Sequence, residues 1–176
     1  MALPELLAAT SAKIEGQRSR LIQALSGLAP AETMRSPGPE RWNAAQVVDH
    51  LLRAEGFTCD ITKMMVDRAT GAGEATGFPL DLEAFDPLPP PLSLDAPPPI
   101  RPRRELPPEE LIAALRAMSQ RSKASIESMA VVDPRKYRMA HPLFGELDLG
   151  QWWDVHPLHY EMHIAQAQDA LKGASG

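Results

Sequence analysis

Proline placement constrains this chain more than any other feature. Eleven of its 18 prolines fall between Pro79 and Pro108, in FPLDLEAFDPLPPPLSLDAPPPIRPRRELPP. A proline ring fixes φ and removes a backbone donor, so this stretch can form neither a helix interior nor a central strand. It reads as a long extended connection, partly polyproline II. A connection of that length inside a small domain is uncommon and is often functional or draped over the surface. With 176 residues, the chain suits one domain, residues 1–176, with 79–108 as a connection within it. Regular structure therefore has to be built on either side of the tract.

Four segments with helical periodicity flank it. The first runs from about Pro4 to Leu28, where Leu3, Leu7, Ile14, Leu21, Leu25 and Leu28 make one apolar stripe. The second begins at Asn43, followed three residues later by Gln46 in the manner of a capping box. Val47, Leu51, Ala54, Thr58, Ile61 and Met65 then alternate steps of four and three, and Gly71 and Gly73 end the segment. The third starts after Pro107 and Pro108, with Glu109 and Glu110 in its first turn and a face of Leu111, Leu115, Met118, Ser122, Ile126 and Met129. The fourth starts near Asp148, again with a glutamine three residues on (Gln151), and runs to about Leu171. Residues 131–149 between the last two read as a short turn or hairpin. Helices of this kind cannot bury their stripes singly, so the expected class is an all-α four-helix bundle. The proline-rich stretch then crosses between its second and third helices.

Composition removes several function classes. Eighteen Lys and Arg against 23 Asp and Glu give a net charge of −5, which argues against a nucleic-acid surface. No apolar run approaches the roughly 20 residues that span a bilayer. The start MALPELLAATSAK lacks a basic region and its apolar stretch is interrupted, so no secretory signal is expected. A lone cysteine, Cys59, cannot form an internal disulfide or a cysteine-based zinc site, and a reducing cytoplasm is the expected compartment. Any metal has to be held by histidine and carboxylate.

The histidines are placed to do so. His50 lies three residues after Val47 and four before Ala54, on the apolar stripe of the second segment. In HPLHYEMH, His159 and His163 differ by about 40° at about 100° per residue, and His156 lies within about 60° of both. An i, i+4 pair can chelate one cation, and a third imidazole from a facing helix would complete a three-histidine site with an open position. The bland reading is that each ring is a hydrogen-bonded core residue. The pattern alone leaves both readings standing.

Two stretches carry a family resemblance. ERWNAAQVVDHLLRAE resembles the second-helix signature of the DinB/YfiT-like superfamily: a Trp, a helix start, then a His before Leu. HPLFGELDLGQWWDVHPLHYEMHIAQAQDAL resembles its C-terminal signature, a His-Pro-x-Phe-Gly turn leading to a helix with H-x-x-x-H and a Gln three residues on. Together they cover about a quarter of the chain, in the family's order and spacing. The resemblance implies a four-helix bundle with a divalent metal, zinc or nickel, held by His50, His159 and His163. Gln166 matches the family's Gln. It also implies an enzyme acting on a small molecule, either by hydrolysis or by transferring a low-molecular-weight thiol to an electrophile, and pairing as a homodimer. The alternative is a non-catalytic metal-binding or interaction protein, its site closed by a fourth ligand such as His156.

The chain departs from the family pattern at Pro157, inside the fourth segment. It removes a backbone donor and crowds the Trp153 carbonyl, so a kink or restart is expected at Asp154–Pro157. This puts His156 in a core or supporting role more than a ligand role, and His141, in the turn, in a structural one. Trp42, Trp152 and Trp153 read as packing groups at helix starts, Cys59 as a small core residue, and Arg101, Arg103 and Arg104 as a solvated basic run. Glu161 sits about 200° round the helix from His159, a poor position for a general base. Asp49, Glu55 and Asp154 flank the histidines in sequence without a readable role. No catalytic acid or base is assigned.

Overall fold

Each long helix forms where a stripe and a start signal coincide. The computed structural model describes residues 3–90 and 96–172; Pro91, within the proline-rich stretch, lies outside the described residues. Helix α1 spans Glu5–Leu25, the one-turn α2 Pro30–Thr33, α3 Ala44–Gly71, α4 Pro108–Ser128 and α5 Leu149–Lys172. After α1, Gly27 takes φ +82°, a left-handed angle that favours glycine just past a helix end. The expected capping boxes are present. Asn43 Oδ1 accepts from Gln46 N at 2.9 Å and Asn43 N donates to Gln46 Oε1 at 3.0 Å; Asp148 and Gln151 repeat this at α5, at 2.9 and 3.0 Å. The short α2 was not anticipated. It follows from Pro30 at a first-turn position, with Glu32 Oε2 accepting from Ala29 N.

Between α4 and α5 the chain forms a hairpin. Strand β1, Arg138–His141, pairs antiparallel with β2, Gly145–Asp148, with His141 opposite Gly145 and Arg138 opposite Asp148. The described residues are thus mostly helical, with one small two-stranded sheet. Helix α3 packs on both α4 and α5, and α1 packs on the same two. The main core joins Leu7, Ile14 and Leu21 of α1, Val48, Leu51 and Cys59 of α3, Leu111 and Leu115 of α4, and Trp153, Tyr160 and Ile164 of α5. The predicted stripe of α3 holds through Thr58 and then drifts: Thr62, Val66 and Ala69 are buried while Ile61 and Met65 are only partly so. A straight helix gains about 20° per heptad on a strict seven-residue repeat, so the core face moves round to the next residues.

Helix α5 continues through Pro157 as one element. The proline forfeits one intrahelical bond, and burial of Trp153, His156 and Tyr160 on the core face holds the remainder in place. The proline-rich stretch has no strand among its described residues and a single 3-10 turn, Pro98–Ile100. The residues just before it are tied to the turn that follows α4 by Gly77 N to Val131 O and Phe78 N to Ala130 O, at 2.9 and 3.1 Å. Further along, Phe85 N donates to Asp154 Oδ2 on α5 at 3.0 Å. Among the described residues no helix is long and apolar enough to cross a membrane.

Candidate metal centre

The Asn43 cap sets the start of α3 and so carries His50 on its second turn, facing α5. The Asp148 cap does the same for α5, whose i, i+4 spacing stacks His159 and His163. One nitrogen from each of His50, His159 and His163 lies within 4.8 Å of the others. His50 Nε2 is 3.0 Å from His159 Nε2. The ring centroids of His50 and His159 stand 4.5 and 4.6 Å from that of His163. Trp42 covers one flank, its ring 4.9 Å from His50 and 6.3 Å from His163. His50 is buried, whereas His159 and His163 are partly exposed.

Two of the three rings have their tautomers set. His50 Nδ1 faces the Ile100 carbonyl at 2.8 Å; a carbonyl only accepts, so Nδ1 carries the proton and Nε2 the lone pair. His163 Nδ1 meets Gln166 Oε1 at 2.7 Å and donates in the same way. The rings are also kept neutral. Burial pushes His50 down to about 4, and the neighbouring His163 pushes the same way. Burial, then repulsion from His163, His50 and His156, holds His159 well below the ordinary histidine range. Burial lowers His163 as well.

These residues fit a divalent cation. Neutral imidazole is the form that ligates, and an all-nitrogen donor set suits zinc or nickel. Two nitrogens bound tetrahedrally to one zinc would lie about 3.3 Å apart, close to the observed 3.0 Å. A 3.0 Å contact between two nitrogens could by itself be a hydrogen bond. The third ring converging on the same point favours a shared cation.

Other residues read from the sequence fall outside the cluster. His156 Nε2 pairs with Thr58 Oγ1 at 2.9 Å, and its Nδ1 is buried with no partner. His141 Nδ1 accepts from Leu143 N at 3.2 Å while its ring packs on Trp152 and Phe144, a structural part in the hairpin turn. Trp153 is fully buried with Nε1 donating to Thr62 Oγ1 at 3.0 Å. Trp42 does more than pack a helix start, since it walls the histidines. Glu161 is exposed. Asp154 binds Thr10 Oγ1 and Phe85 N, with its carboxyl raised by burial. Burial likewise pushes the Cys59 thiol up, away from thiolate chemistry.

Sequence reading missed a buried polar cluster beneath the histidines. Glu55 of α3 accepts from Arg18 of α1, from Ser122 of α4 at 2.5 Å and from Tyr160 of α5 at 2.7 Å. Arg18 also pairs with Glu15. Burial works against the Arg18 charge, but Glu55, Tyr160 and Glu15 together more than offset it and hold the guanidinium above its ordinary pKa. The signal was present: Arg18 lies four residues after Ile14 and three before Leu21, on the apolar stripe itself.

No curated protein and no solved structure matches this chain. The sequence profile of the DinB superfamily matches residues 13–167, a span that holds His50, His159, His163 and Gln166. With that match over most of its length, and with its helices and histidines arranged as described, the chain belongs to the DinB superfamily.

Proposed function

We propose that this protein is a divalent-metal-dependent enzyme that transfers a low-molecular-weight thiol to a small electrophile, with zinc or nickel held by His50, His159 and His163. The observation that carries this is the convergence of three imidazoles, two of them partly exposed, with no carboxylate among them. A divalent cation held there supplies Lewis acidity, which lowers the pKa of a coordinated thiol or water.

The chain's own residues bind, orient and screen. Ile100 and Gln166 fix two ligand rings. Trp42 excludes water from one flank. The nearby carboxylates are engaged elsewhere: Asp49 with Arg103 and Arg104, Glu55 with Arg18, Ser122 and Tyr160, and Asp154 with Thr10 and Phe85. Ester or amide hydrolysis calls for a positioned acid and base. A thiol, with an ordinary pKa of about 8.5, needs only a nearby positive charge to ionise. The missing base therefore favours thiol transfer over hydrolysis.

The same reading takes residues 1–176 as one domain. Its four long helices form a four-helix bundle, with 79–108 as the connection between α3 and α4. The mutual packing of α1 and α3 on α4 and α5 supports it. It also takes the protein as a homodimer, so gel filtration should give about twice 19.2 kDa; elution as a monomer contradicts that part.

The test is metal content and thiol consumption. Purified protein loaded with zinc or nickel should bind one equivalent, and His50→Ala, His159→Ala and His163→Ala should each lose it. Metal-loaded protein should accelerate the reaction of a low-molecular-weight thiol with a chromogenic electrophile. Stoichiometric metal retained by all three variants ends the proposal. Ester cleavage without thiol consumption replaces transfer by hydrolysis.

A further inference from the structure

The part of the proline-rich stretch next to α4 is fastened along one face of α3. Gln46 Nε2 donates to Glu105 Oε1 at 2.8 Å. Asp49 Oδ2 accepts from the backbone N–H groups of Arg103 and Arg104 at 2.8 and 3.2 Å, and its Oδ1 accepts from Arg104 Nε at 3.1 Å. His50 Nδ1 donates to the Ile100 carbonyl at 2.8 Å. Arg53 Nη2 donates to the Pro99 carbonyl at 2.9 Å. Positions 46, 49, 50 and 53 share one face of a helix, so α3 gives a whole stripe to this segment and His50 is part of that stripe.

Local chemistry explains why the segment suits this place. The turn Pro98–Ile100 closes on Pro97 O through Ile100 N at 3.0 Å. Carbonyls at the end of so short a turn have no partner within it. Two of them, from Pro99 and Ile100, are those taken by Arg53 and His50. Asp49 is fully buried, and a buried carboxylate needs donors. It finds them in the strap. His50 alone has only its own side-chain torsions to orient it; the Ile100 carbonyl adds both a direction and a proton location.

We infer that residues 99–104 are a positioning strap for the metal centre. The Ile100 carbonyl holds the His50 ring as the Nδ1–H tautomer with Nε2 aimed at His159 and His163, and buried Asp49 anchors the strap that presents it. This rests on the metal reading above, and it makes Asp49 and Ile100 positioning residues: neither touches the cation. Loss of such an outer hydrogen bond typically weakens metal binding about 10–100-fold.

The experiment combines tautomer and affinity. In metal-free protein near neutral pH, ¹⁵N spectra of labelled histidine should show His50 as the Nδ1–H tautomer, the minority form of free imidazole. Asp49→Ala should shift His50 towards the Nε2–H form and weaken zinc binding about 10–100-fold in a chelator competition, with helical circular dichroism retained. Asp49→Asn keeps an acceptor for the Arg103 and Arg104 backbone and should restore most of both. Should Asp49→Ala fail to fold, the double variant Arg53→Ala/Arg104→Ala, altering two side chains that are not fully buried, should move both readouts in the same direction. The strap is overturned if wild-type His50 is the Nε2–H tautomer. It is equally overturned if the variants that fold keep the tautomer and bind zinc within about twofold of wild type. A wild-type protein that binds no zinc but shows the Nδ1–H tautomer, released in the variants, overturns the metal reading and leaves the strap's hold on the ring supported.

Discussion

Glu55 is the residue on which the interior turns. Its carboxylate is fully buried and accepts from Arg18, Ser122 and Tyr160, so α1, α4 and α5 all meet on one side chain of α3. Glu55→Ala removes every one of those acceptors. It leaves the Arg18 guanidinium, 1% exposed, with Glu15, 41% exposed, as its carboxylate partner. The Nε of Arg18 already lacks a partner. Removing one member of a buried ion pair costs about 3–5 kcal/mol, because the other charge stays desolvated. Glu15 retains part of the compensation, which places the expected loss at the lower end, about 3 kcal/mol. For a chain of this size that corresponds to a fall of about 6–12 °C in Tm. The assay is thermal and urea unfolding of the metal-free protein followed by circular dichroism. A loss under about 1 kcal/mol with an unchanged urea slope would refute the reasoning. A second arm sharpens it. In Arg18→Met/Glu55→Leu neither charge is left alone, so the double variant should be less destabilised than the sum of the single variants. Simple additivity would show that the two charges do not depend on each other.

Three other outcomes follow from the same structure. Burial, reinforced by His163 at one and His156 at the other, lowers His50 and His141 to about 4, against about 6.5 in an unfolded chain. Between those values the unfolded state binds protons that the folded state refuses. Their contribution is therefore complete above about pH 6.5 and lost towards about pH 4; the urea midpoint of metal-free protein should fall on acidification, and by less in His141→Gln. Trp153→Ala removes a fully buried indole and its bond to Thr62 and should cost about 3–5 kcal/mol in urea unfolding, whereas a value under about 1.5 would mean that the site collapses without a cavity. Asn43→Ala deletes the cap of α3 and a bond from Asn43 Nδ2 to Met34 O; a loss of about 1 kcal/mol is expected, and no measurable change would show that packing alone sets the helix start.

What could be read without coordinates was what short-range chemistry controls. The apolar steps from Leu7 to Leu25 predicted α1, the Asn43–Gln46 and Asp148–Gln151 boxes marked two helix starts, and the concentration of proline matches the lack of strands and long helices among the described residues between Pro79 and Pro107. The spacing of His159 and His163 placed those two rings on one face because a helix repeats every 3.6 residues wherever it occurs. Other features needed the folded chain. That His50 meets this pair while His156 turns to Thr58 depends on how α3 and α5 are rotated against each other, and no local spacing encodes that rotation. Arg18 could be seen on its stripe, but its partner Glu55 lies 37 residues away on another helix. The role of Asp49 was equally hidden, since its donors are backbone groups of an extended segment more than 50 residues on. Periodicity specifies which side chains share a face; only close packing of whole helices decides which faces meet, and with them which ring nitrogen is left facing the site.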